Sequence, residues 1–149
     1  MEGFLPGAEN MKKIKGILFD LEGALLAQDP GPAGPWRVAP GGLKVIRRLY
    51  DRGYRLGIVS RRSGEEVLDW LREEGLLQYF EAVQSFGAEG CRRACGQMGL
   101  ELSECVRVTG DSDGEAGLGA CILVTDQPES GADGAVCRLA DLPDLPIFQ

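Results

Sequence analysis

The chain has 149 residues, a formal net charge of −7 and no histidine, and these facts exclude several chemistries before any motif is read. Histidine-based nucleophilic triads and His-ligated metal centres are ruled out by composition, and the acidic balance lacks the basic footprint that nonspecific nucleic-acid binding requires. A hydrophobic content of 44% with 26% charged residues fits one globular domain that buries its core without a covalent staple.

The five cysteines, Cys91, Cys95, Cys105, Cys121 and Cys137, are odd in number and form no C-x-x-C pair. Cys91 and Cys95 lie four apart on an expected helix and have zinc-ligand spacing. The preferred reading is five reduced, mostly buried thiols in a cytoplasmic protein. No apolar stretch approaches the ~20 residues of a membrane span, so no membrane partner is expected. Residues 1–10 have neither a basic start nor a long apolar core and are read as a loose extension preceding a single domain over 11–149.

Strand and helix signals alternate along the chain. The first strand is expected over about 13–19. Residues 26–41, dense in Pro and Gly, form a loop. A helix over about 41–51 carries Val45, Ile46, Leu49 and Tyr50 on one side and ends at Gly53. Tyr54–Val59 reads as the second strand. Ser63-Gly64-Glu65-Glu66 is a capping box that opens a helix with Val67, Trp70 and Leu71 on its apolar face, closed by Gly75. A short third strand, Ala82-Val83, precedes a weak helix over 88–98. Strands follow near 106–109 and 120–124, with a short one in the tail at 135–137. This order predicts an α/β domain: a doubly wound, Rossmann-like parallel sheet in a three-layer αβα arrangement.

Chemistry concentrates at the strand ends. The apolar run Ile17-Leu18-Phe19 leads into Asp20, Glu22 and Gly23. A carboxylate there can attack phosphorus, a second can serve as general acid and base, and the glycine lets backbone approach a phosphate. Ser60 ends the second strand beside a helix start, where anions are favoured. Arg61 and Arg62 follow, suited to gripping an anionic group. Asp111 follows the strand Val106-Arg107-Val108-Thr109 and suits a Mg²⁺ ligand, with Glu115 and Asp113 competing for a supporting role. Each cluster alone also reads as an ordinary turn or cap; their order along the chain favours a site.

Together these residues resemble the haloacid dehalogenase (HAD) superfamily of phosphohydrolases. Asp20, Glu22 and Gly23 match its first motif, Ser60 its second, and Gly110, Asp111 and Glu115 its fourth, across about residues 13–145. The resemblance implies a phosphatase-type hydrolase with adjacent first and fourth strands. Asp20 would be nucleophile and Mg²⁺ ligand. Glu22 would be general acid/base and offer its backbone carbonyl to the metal. Asp111 would complete the protein's share of the shell, with Glu115 in support. Gly23, Ser60 and Arg61 would hold phosphate. The partner implied is a small-molecule or macromolecular phosphate ester.

The chain departs from the family pattern in three ways. Glu22 replaces the usual second Asp, and Ala24 the usual Thr. The family's Lys before the helix near residue 88 is missing, leaving Arg92 or Arg93 as candidate substitutes and a weakened or inactive binding or scaffold protein as the alternative function. The spacing from Asp20 to Ser60 leaves no room for a helical cap domain. The open site would accept a bulky substrate or be covered by a second subunit. Trp36 is expected to tack the loop onto the core.

Overall fold

The computed structural model describes residues 14–26, 35–110, 118, 120–124, 136–137, 139–145 and 148. The expected extension over 1–10 lies outside them. The strands are β1 (Gly16–Asp20), β2 (Arg55–Ser60), β3 (Phe80–Ser85), β4 (Cys105–Thr109), β5 (Ala120–Val124) and β6 (Val136–Cys137). They form one six-stranded parallel sheet in the order β3-β2-β1-β4-β5-β6. The helices are α1 (Gly42–Asp51), α2 (Gly64–Glu74) and α3 (Ala88–Gln97). A single wide turn, Leu21–Leu25, follows β1 directly.

Helices cover both faces of the sheet, so its central strands are buried on both sides. Ile17 and Phe19 of β1 and Val106 and Val108 of β4 pack with Val45, Ile46 and Leu49 of α1 and Val67, Trp70 and Leu71 of α2. Leu18, Val59, Ala82 and Cys105 face the other way, onto Cys91, Ala94 and Cys95 of α3. Side chains alternate along a strand, so Asp20 shares the α3 face with Leu18, and Arg107 and Thr109 share it with Cys105.

The local signals in the sequence have physical counterparts. The Ser63 hydroxyl accepts from the Glu66 N–H at 3.2 Å, and the Glu66 carboxylate accepts from the Ser63 N–H at 3.3 Å, which closes the box that starts α2. Gly75 ends that helix in the left-handed region at φ 72°. The third strand is longer than expected: its ladder with β2 runs on to Ser60↔Ser85. Backbone pairing there carries polar residues that hydrophobic patterning alone leaves out. Cys91, Cys95 and Cys105 are buried and form no disulfide, and the described residues contain no group of three potential metal ligands to complete the zinc spacing of Cys91 and Cys95.

The loops after β1 and β4 meet main chain to main chain. A Cβ added at Gly110 would lie 2.0 Å from the Gly23 carbonyl oxygen. No side chain larger than hydrogen fits there without moving one loop. We expect Gly110→Ala to lower stability by about 1–3 kcal/mol through overpacking, read from urea denaturation. Gly64→Ala, where a Cβ meets nothing within 4 Å, should be neutral or stabilise by about 0.4–1 kcal/mol.

Candidate active site

β1 has β2 on one side and β4 on the other, so the chain reverses its direction of travel across the sheet between β1 and β4. In open parallel sheets, ligands bind outside the carboxyl ends of the strands at this kind of switch point. A cavity of about 210 Å³ opens there, lined by Asp20, Glu22, Gly23, Arg61, Phe86, Thr109 and Gly110. It is smaller than the ~300–1,000 Å³ of typical small-molecule clefts.

Asp20 is the last residue of β1 and is 3% exposed. Both of its carboxylate oxygens are held by one guanidinium: Arg107 Nε donates to Oδ1 at 2.9 Å and Nη2 to Oδ2 at 2.7 Å. Arg107 lies in the middle of β4, its Cα paired with Leu18 on one side and Cys121 on the other, and it is 1% exposed. Its guanidinium carbon is 5.0 Å from the centre of the Phe86 ring. The hydrogen bonds to Asp20 outweigh burial and push the Arg107 pKa above its ordinary value.

This pairing bears on a question that the sequence leaves open. Arg92 and Arg93 do not supply the missing cation; both are exposed on α3 and pair with Glu89 of the same helix. The residue that the sequence reading missed is Arg107. One signal could have found it: a lone charge within a strand otherwise buried on both faces requires a partner. Asp20, ending the adjacent strand, is such a partner.

Glu22 is also buried, at 7% exposure. The Ser60 hydroxyl donates to its Oε2 at 2.5 Å and the Arg61 main-chain N–H to its Oε1 at 3.2 Å. Ser60 Oγ in turn accepts from the Arg62 N–H at 2.9 Å. Ser60 is thus oriented toward Glu22, behind the cavity wall, instead of lining it. Gly23 and Arg61 do line it, and the Arg61 side chain stacks on Phe86 at 4.2 Å. Gly110 lies against Gly23, while Asp111, Asp113 and Glu115 lie outside the described residues. Trp36 packs on Trp70 at 5.6 Å and under Arg62 at 5.3 Å, tying its loop to α2.

Residues 21–41 join β1 to α1, and among the described residues no separate cap stands over the cavity. No helix among them is long and apolar enough to cross a membrane.

The buried pair makes a strong energetic statement. Arg107→Met leaves Asp20 as an uncompensated buried charge and should cost about 3–5 kcal/mol in chemical denaturation. Replacing both partners, in Asp20→Leu with Arg107→Met, should recover most of that loss. Additive losses in the double variant would show that the pair is not a coupled unit.

By sequence, the chain matches no family model and no curated protein. Its fold has clear counterparts. A HAD phosphatase from Thermococcus onnurineus superposes with a TM-score of 0.70 at 18% identity, covering 88% of this chain and 97% of that one. A predicted phosphoglycolate phosphatase from Haemophilus somnus gives 0.69 at 14% identity, over 91% and 99%. A haloacid dehalogenase-like hydrolase from Streptococcus pneumoniae gives 0.68 at 14%, over 93% and 100%. Sheet order, the cavity at the switch point and these superpositions agree: the chain has the haloacid dehalogenase-like fold.

Proposed function

We propose that this protein is a phosphomonoester hydrolase, dependent on a divalent metal, that works through a covalent aspartyl-phosphate on Asp20. The observation that carries the proposal is the convergence of Asp20, Glu22, Arg61 and the Gly23–Gly110 backbone on one cavity at the switch point of a HAD-like sheet.

The chemistry follows from the positions of these groups. An Asp20 oxygen attacks phosphorus as the bond to the leaving alcohol breaks, and the Glu22 carboxyl gives its proton to the departing oxygen. Water then attacks phosphorus, Glu22 takes the proton, and the bond to Asp20 breaks to release inorganic phosphate. Ser60 and the Arg61 N–H hold Glu22 in place for both transfers. Arg61 and the main chain at Gly23 line the cavity and would hold the phosphoryl oxygens there.

The donor chemistry suits Mg²⁺, which prefers a few oxygen ligands along with water and phosphate. The ligands would be the Asp20 carboxylate, the Glu22 main-chain carbonyl and Asp111, with Glu115 in support. Each Asp20 oxygen keeps a second lone pair beside the bond it accepts from Arg107. When bound, Mg²⁺ would neutralise charge on the transferring group. The small cavity suits a bulky or macromolecular phosphate ester, or a site covered by a second copy of the chain.

A second reading, a HAD-fold binding or scaffold protein without turnover, draws on one observation: the guanidinium engages both oxygens of the nucleophile. A panel of phosphate esters assayed with Mg²⁺, beside Asp20→Asn, separates the two. We expect metal-dependent phosphate release that falls by about 10³-fold or more in the variant. Equal rates in both proteins would refute catalysis by Asp20. Absence of turnover on every ester would favour the scaffold.

A further inference from the structure

We infer that Arg107 is a positioning residue that holds the Asp20 carboxylate and weakens the site's hold on a divalent cation. The inference rests on the phosphohydrolase activity proposed above.

Arg107 projects from the middle of a strand paired on both sides. Phe86 stacks on its guanidinium, which forks onto both Asp20 oxygens from the α3 face. This is a preorganised clamp, and Arg is the side chain whose planar fork matches a carboxylate. A flexible surface cation would be screened and displaced cheaply. Arg107, at 1% exposure, is neither.

Two consequences follow, and they pull in opposite directions. The clamp keeps the carboxylate in one orientation at the cavity wall, which favours in-line attack. It also fixes a positive charge within hydrogen-bond distance of the atoms a divalent cation must share. Like charges a few ångströms apart in a partly buried site repel strongly. Metal binding therefore proceeds against Arg107, and the concentration of metal needed to fill the site is set by this residue. Arg61, also on Phe86 but exposed at the cavity mouth, is free of that constraint and faces the substrate side.

The two contributions of Arg107 can be separated. Arg107→Gln removes the charge and keeps an amide donor. Arg107→Lys keeps the charge and loses the fork. The test is Mn²⁺ binding to the full-length metal-free chain without substrate, read from the free-Mn²⁺ electron paramagnetic resonance signal, with Asp20→Asn to locate the site. Arg107→Gln should bind Mn²⁺ about tenfold or more tighter than wild type, and Arg107→Lys within about threefold of it. Equal affinity in wild type and Arg107→Gln, with binding lost in Asp20→Asn, overturns the inference and leaves the hydrolase proposal intact. No binding to wild type or Arg107→Gln overturns both. Binding to Arg107→Gln alone supports the clamp and turns the choice toward the scaffold.

Should Arg107→Gln not fold, the wild-type chain decides the question. The Arg107 Nε–H nuclear magnetic resonance signal, assigned by its loss in Arg107→Lys, should shift during a Mg²⁺ titration. A signal unmoved at saturating Mg²⁺ overturns the inference.

Discussion

The ion pair between Asp20 and Arg107 is the constraint around which the site is organised. Ionised side chains lose several kcal/mol of hydration when taken into a protein interior, and only close, fully bonded geometry offsets that loss. Here the geometry is close: two short hydrogen bonds join one guanidinium to one carboxylate. The pair forms between adjacent strands, so the sheet itself sets its distance. β1 and β4 must be neighbours for it to exist, and their adjacency is also what opens the cavity at the switch point.

The rest of the site is arranged around that pair by backbone. Gly23 and Gly110 let the two loops touch, so the chain leaving β4 toward Asp111 starts beside the chain leaving β1. Ser60 and the Arg61 N–H fix Glu22 from β2, on the opposite side of β1 from β4. Three neighbouring strands thus each contribute at their carboxyl end, and none of the contributions depends on a separate cap. Phe86, just past β3, lies under Arg61 and against Arg107 and gives both cations a common apolar surface.

Much of this was legible in the sequence because it is local. The capping box at Ser63–Glu66, the glycine that ends α2 and the acidic pair after the first apolar run are short patterns with one physical reading each. The parallel sheet followed from their alternation. What escaped was long-range. Arg107 lies 87 residues from Asp20, and no spacing rule connects them; the cations near residue 88 in sequence, Arg92 and Arg93, serve the surface of α3. The engagement of Ser60 by Glu22 was hidden for a similar reason. A serine after a strand looks available for phosphate until the fold places a carboxylate 2.5 Å away. The longer third strand came from main-chain pairing that side-chain pattern does not encode.

The central claim is that Asp20, clamped as it is, still acts as the nucleophile. The most direct measurement is to quench the protein during turnover of a phosphate ester, reduce it with borohydride and map the modified residue by mass spectrometry. An acyl phosphate is reduced to an alcohol, so the account predicts homoserine at position 20 and nowhere else. Steady release of phosphate with residue 20 recovered only as aspartate would contradict it.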